Sequence, residues 1–453
     1  MIVDLEPTTL ETAAALSRKQ WLASVTVGVL FLVACAAAFA PQVHPDAAPH
    51  AFDPADIAWM LSSSGLVLLM TPGLAFFYGG MVSKKSVIST LLQSFIALGV
   101  ISVLWYVVGF SLAFGDSFHG IIGNPLTFLL FNHVGTAPHP RIAPHLPLVL
   151  FASFQLKFAI ITPALISGAF AERIRFWGYL LFMCLFSLLI YCPLAHWTWH
   201  PDGFLFKWGV LDFAGGTVVH ISAGFAALAG ALALGRRHVH KEGHQHVPTN
   251  VPFVLLGTGL LWFGWFGFNA GSALAANAVA VQAFFTTHLA SAAAMLTWML
   301  IEAVRGQRPS AAGAAIGAVV GLVAITPGAG YVSYGPALFI GVVAAAVSAF
   351  AVDLKSRTNL DDTLDVFPCH GVGGIVGMVL TAVFAQEGGW ATTGSPVLLY
   401  KHLGALVFIS AFTFSGSYLL YKLTNLLIPI RVNAEHEAHG LDTSQHGETA
   451  LVN

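Results

Sequence analysis

The chain has 453 residues, 57% of them hydrophobic and only 9% charged, with a formal net charge of −2. That balance and a mean hydropathy of +0.78 exclude an ordinary soluble domain, and there is no basic or acidic block to suit a nucleic acid. Four cysteines (Cys35, Cys184, Cys192, Cys369) sit in apolar stretches without metal-like or disulfide-like spacing, and they do not define a redox compartment.

The first apolar stretch, Trp21 to Ala40, follows Arg18 and Lys19 and ends on Ala38-Phe39-Ala40, a small-x-small pattern. It reads as a cleaved signal peptide over residues 1–40. The run Leu32 to Cys35 also resembles a lipoprotein cleavage site, which alanine-rich leaders produce by chance. Eleven windows follow that can each cross a hydrocarbon core needing ~20 residues. They cover about 57–79, 87–113, 147–170, 176–196, 213–235, 250–273, 279–303, 310–327, 332–353, 368–386 and 400–425. The expected fold is therefore an all-α polytopic membrane domain over 41–430, with a tail over 431–453.

Within the third window Lys157 precedes Phe158. One helical step of ~100° should turn Lys157 away from whatever axis Phe158 faces. The fifth window opens on LDFAGGTVVH, with Asp212 eight residues before His220. The loop RRHVHKEGHQH follows, with His238, His240, His244 and His246, and reads as a solvated loop rather than a metal site. The long loop Asp116 to Leu146 holds His119, His133, His139 and His145 among several prolines and has no assigned role. The tenth window opens on DDTLDVFPCH, where Asp362 again stands eight residues before His370.

Charge sets an orientation. Thirteen Lys and Arg residues fall in alternate loops and at the C-terminal end: Lys84, Lys85, Arg173, Arg175, Arg236, Arg237, Lys241, Arg305, Arg308, Lys355, Arg357, Lys422 and Arg431. The opposite side has only Arg141, Lys207 and Lys401. By the positive-inside rule the thirteen face the cytoplasm, with the mature N-terminus outside and the C-terminus inside. Eleven spans then parse as five plus five plus one. The two Asp-to-His segments begin the fifth and tenth helices, which run in opposite directions, as inverted repeats require.

Ionisable groups at bilayer depth are functional candidates by default. Eight residues of helix rise about 12 Å, which places each His near mid-membrane and on roughly the face of its Asp. Helix capping and substrate contact are both open to Asp212 and Asp362. For one His alone, a hydrogen bond to a neighbouring carbonyl is the plain reading; two at matching places favour a paired site. Two neutral imidazoles can share one hydrogen bond and keep a free nitrogen at each end. That suits a small protonatable solute better than an alkali ion.

From about Pro54 to Glu448 the chain resembles the ammonium transporter (Amt/Mep/Rh) family, bacterial type. The motifs are TPGLAFFYGG from Thr71, GAFAERIRF from Gly168, LDFAGGTVVH, GWFGFNAGSA from Gly264 and DVFPCHGVGGIVG from Asp365. The resemblance implies an eleven-helix trimer with one pore per subunit, in a bacterial inner membrane. It makes His220 and His370 the paired pore histidines and Phe158 and Phe268 the stacked rings of the gate. It places Trp199, Ser272 and Phe158 at the outer site that recruits ammonium. Asp212 supports that site from behind, and Asp362 takes the corresponding place in the second repeat.

In physical terms, Trp199 offers a π face to a cation and Ser272 a hydroxyl acceptor. Trp199 would also suit an interfacial aromatic belt, and in a chain with 35 Phe the two Phe residues would ordinarily read as packing. Gly264, Gly267 and Gly271 read as close helix approach. The tail RVNAEHEAHGLDTSQHGETA from Arg431 resembles the family's regulatory tail, which packs under neighbouring subunits and helps receive a PII-type protein. The expectation is an ammonium channel or transporter, not an enzyme, and no cofactor or metal is called for. A sensor on the same scaffold is the alternative. Such sensors carry an appended signalling domain, and about twenty residues follow Pro429 here.

Overall fold

The computed structural model describes residues 18–39, 52–241 and 248–450. The cleavage-site residue Ala40 and the histidines His244 and His246 lie outside them. Among the described residues, ten helices are long and apolar enough to cross a membrane. In chain order these are α1 (Pro54–Met81), α2 (Val87–Phe114), α3 (Leu148–Phe170), α4 (Phe176–Trp208), α5 (Gly216–Leu234), α6 (Val251–Ala273), α7 (Ala278–Val304), α9 (Tyr334–Ser356), α10 (Phe367–Phe384) and α11 (Val397–Leu427). The span expected over 310–327 is the shorter helix α8, Ala311–Ile325, of 15 residues. It is shorter than the ~20 residues of a full crossing. A leading helix, Arg18–Ala37, lies against α2 and the first half of α4.

Short polar side chains start the helices, as free N-terminal amides demand. Asp53 accepts the Ala55 N–H, Asn250 that of Phe253, Asn277 that of Ala280 and Ser310 that of Gly313. Helices then close on glycine. A Cβ on Gly264 would lie 2.3 Å from Met70 Cγ, and one on Gly267 2.6 Å from Leu66 Cβ, so α6 presses directly on α1. Gly271 plays the same part against Ser63 and Phe154, as the sequence predicts. A very tight crossing joins α5 to α10, where a Cβ on Gly224 would lie 2.2 Å from Gly371 N.

The predicted loop 116–146 is folded into two small antiparallel hairpins. β1 (Ser117–Phe118) pairs with β2 (Ile122–Gly123), and β3 (Pro138–His139) with β4 (Ala143–Pro147). At the opposite end of the bundle buried and half-buried ion pairs bind the loops. Arg237 Nη2 lies 2.9 Å from Asp361 and its Nη1 2.7 Å from Glu172. Lys355 pairs with Asp365 at 2.5 Å. The tail docks there on its own chain: the Asp442 carboxylate accepts the Ile88 and Ser89 N–H groups, and Lys85 Nζ donates to the Ala438 carbonyl. His446 stands edge-on to Phe176, with ring centroids 5.2 Å apart.

Candidate functional site

Asp212 precedes α5 rather than lying on it. Its carboxylate accepts the N–H groups of Gly215 at 2.9 Å, Gly216 at 2.7 Å and Thr217 at 2.7 Å, and also the Thr217 hydroxyl. Gly215, at φ 114°, makes the turn that an L side chain would resist. Asp362 does the same for α10, accepting from Val366 at 3.1 Å and Phe367 at 2.7 Å. Burial pushes its carboxyl up to about 6, with Lys355 pulling the other way.

These caps correct the sequence-based geometry. The eight-residue interval is not two turns of α-helix. It combines an Asp-capped turn with a π-turn, Gly216–Ile221 in α5 and Phe367–Val372 in α10. Each π-turn carries its His. Such turns concentrate at functional sites because the widened ring re-aims one side chain.

His220 and His370 meet edge to edge through their Nδ1 atoms. Their Nδ1 atoms are 3.3 Å apart and their ring planes are inclined by 26°. Both rings are buried, and His220 Nε2 has no partner among the described residues. Phe268 lies beyond His220 at 6.0 Å between centroids, and Phe158 covers Phe268 at 4.2 Å with 33° between planes. Trp199 then stands edge-on to Phe158 at 5.8 Å.

Above these rings lies a cavity of about 580 Å³, lined by Trp199, Ser272, Phe158, Gln155 and Arg141 among others. The Asp212 backbone carbonyl accepts the Trp199 indole N–H at 3.2 Å and fixes the ring. The Ser272 hydroxyl donates to the Phe268 carbonyl at 2.8 Å, which leaves its lone pairs for an incoming donor. Lys157 is half-buried and does not line this cavity.

Eight residues singled out from sequence thus divide. Trp199, Ser272, Phe158, Phe268, His220 and His370 form one continuous line from cavity to His pair, and Asp212 underlies it. Asp362 stands apart, at the start of α10 on the tail side. Trp265 is the residue missed. Its ring stacks on His220 at 5.3 Å and 20°, and its indole N–H donates to the Thr326 hydroxyl at 2.9 Å. It lies three residues before Phe268, and that spacing on one helix face was the available signal.

The profile of the Ammonium Transporter Family matches residues 58–451. An ammonium transporter of Aquifex aeolicus is 45% identical over 407 residues, 88% of this chain and 93% of that protein. One from Mycobacterium tuberculosis is 45% identical over 433 residues, 88% of this chain and 90% of its own. The crystal structure of Saccharomyces cerevisiae Mep2 superposes with a TM-score of 0.80 at 37% identity, over 85% of this chain and 88% of that one.

Proposed function

Because the chain belongs to the ammonium transporter family, a multi-pass membrane family matched along nearly all of its helical body, we propose that it carries ammonium inward by admitting the cation and conducting ammonia. The cation gathers in the cavity at Trp199, where the indole face attracts it and the Ser272 oxygen accepts one of its N–H groups. Beyond Phe158 and Phe268 the passage is apolar, and a bare ion there would lose its hydration for no equivalent return. Loss of a proton to water in the outer cavity, as the cation reaches the rings, removes that penalty. Ammonia then passes His220 and His370, hydrogen-bonding as it goes. Potassium has no proton to give up and is turned back.

The observation that carries the reading is the buried His pair, its Nδ1 atoms 3.3 Å apart and His220 Nε2 unpartnered, behind two stacked phenyl rings. One shared hydrogen bond fixes both imidazoles and frees the far nitrogen for a neutral solute. Two cationic rings this close would repel strongly, so the pair holds at most one extra proton.

The same reading counts α8 as an eleventh crossing, with two inverted five-helix repeats and the tail in the cytoplasm. The capped π-turns at His220 and His370 support that repeat. It also sets the chain in a bacterial inner membrane as a homotrimer, with the docked tail as landing place for a PII-type regulator and residues 1–40 removed as a signal peptide. The test is uptake in proteoliposomes. Wild type should take up methylammonium saturably and exclude potassium, and His220→Asp plus His370→Asp should lose that discrimination. Potassium flux through the wild type would refute the deprotonation step. Ammonium binding with no substrate-dependent flux would instead make the protein a sensor.

A further inference from the structure

The charge pattern leaves three basic residues on the expected outer side, Arg141, Lys207 and Lys401, and two of them converge on one carboxylate. Asp202 Oδ2 lies 2.7 Å from Arg141 Nη1, and Asp202 Oδ1 lies 2.8 Å from Lys207 Nζ. The carboxylate is itself well placed. The Asp202 N–H donates to His200 Nδ1 at 3.0 Å. The following Gly203 sits so close to the preceding helix that a Cβ there would lie 2.1 Å from the His196 carbonyl oxygen.

Arg141 stands between β3 and β4 and lines the same cavity as Trp199, Phe158 and Ser272. A guanidinium is the side chain best suited to lie on an indole face. Left free, Arg141 would be a competitor for the substrate cation that the chain itself supplies at high effective concentration.

We infer that Asp202 is a tether: it holds the Arg141 guanidinium off the Trp199 ring and so keeps the recruitment site open to ammonium. Asp202 is a positioning residue, acting through Arg141 rather than touching substrate. The inference rests on the reading of Trp199 as the place where the cation gathers. Lys207 is the second ligand that orients the carboxylate. The two basic side chains are 57% and 61% exposed. Exposed pairs of this kind contribute little to stability, so removing the carboxylate should leave the fold intact and change what Arg141 does.

The experiment is the concentration dependence of methylammonium uptake by the full chain in proteoliposomes. Asp202→Asn should raise KM about fivefold, within the range of a cation–π contact, with Vmax within about twofold of wild type. Asp202→Glu should keep the wild-type KM. Asp202→Asn with Arg141→Gln should restore it, because the competitor is gone, whereas Asp202→Asn with Lys207→Gln should stay raised. An unchanged KM in Asp202→Asn overturns the tether. So does a KM that stays high after Arg141→Gln, which marks a scaffold role, or one restored by Lys207→Gln, which marks a net-charge effect. If the wild type itself shows no saturable uptake, the reading of Trp199 fails first and the tether falls with it.

Discussion

Replacing Gly224 with alanine tests whether the two histidines must be held at their present distance. The new methyl would lie 2.2 Å from Gly371 N and 2.3 Å from Gly371 Cα. Backbone atoms cannot swing aside as a side chain can. The helices must part by about 1.2 Å before that contact reaches the 3.4 Å at which ordinary van der Waals contact begins. His220 lies four residues before Gly224 and His370 one before Gly371, so a separation of that size carries their Nδ1 atoms from 3.3 Å toward about 4.5 Å, beyond hydrogen-bond reach. Overpacking of this kind costs roughly 1–3 kcal/mol, and the lost hydrogen bond about 1 kcal/mol more. If ammonia depends on the pair, a barrier raised by about 1.4 kcal/mol lowers flux roughly tenfold. The assay is methylammonium uptake at matched protein density, alongside the melting temperature in detergent. Gly99→Ala is the control, since a Cβ there meets nothing within 4 Å. Wild-type uptake and melting in Gly224→Ala would refute the claim that this crossing sets the pair.

Trp199→Leu should raise KM for methylammonium roughly 2- to 30-fold, the span of a 0.5–2 kcal/mol cation–π contact, with little change in Vmax; an unaltered KM would remove Trp199 from recruitment. Arg237→Gln removes the buried guanidinium that bridges Glu172 and Asp361, and breaking a buried pair costs about 3–5 kcal/mol. Its melting temperature should therefore fall well below that of Arg305→Gln, whose partner Asp353 is 37% exposed. Burial would raise the Asp361 carboxyl, but Arg237 holds it well below the usual carboxylate range. The stability it contributes is thus present above a pH of about 3.9 and is lost as pH falls through the lower folded value. Acid melting profiles should show that loss in the wild type and much less of it in Arg237→Gln. Asp442→Ala removes the carboxylate that caps α2, a change worth about 0.5–2 kcal/mol, and limited proteolysis should then cut the tail beyond Arg431 faster.

The helices were legible because an apolar run of fixed length is a statement about solvent, and solvent acts on every residue in turn. The window at 147–170 becomes Leu148–Phe170 and that at 57–79 becomes Pro54–Met81. What stayed hidden depends on contacts between distant segments. Nothing local marks Gly216–Ile221 as a π-turn, which lies one turn before the close crossing of α5 and α10 at Gly224. The hairpins at 117–147 are too short and proline-rich to show alternation. The capping role open to Asp212 in the sequence is the one its carboxylate fills, but the turn at Gly215 is not legible, since a glycine pair can be helix or turn. His220 and His370 were visible as costly ionisable groups at matching places. Phe158 and Phe268 were not, being two of 35 Phe, and only the family resemblance raised them. Trp265 is hidden within GWFGFNAGSA, because an indole among phenyl rings reads as packing.

The Asp212 carboxylate has a further meaning for traffic through the protein. Its two oxygens have about four acceptor sites, and four donors already occupy them: three backbone N–H groups and the Thr217 hydroxyl. If Trp199 gathers the cation as proposed, an ion arriving beneath it would find no vacant ligand on this carboxylate. Attraction is thereby uncoupled from residence. On the reading proposed above, a cation would be attracted to the mouth by a carboxylate whose acceptor sites are already filled, and each arrival would stay free to leave or to shed its proton.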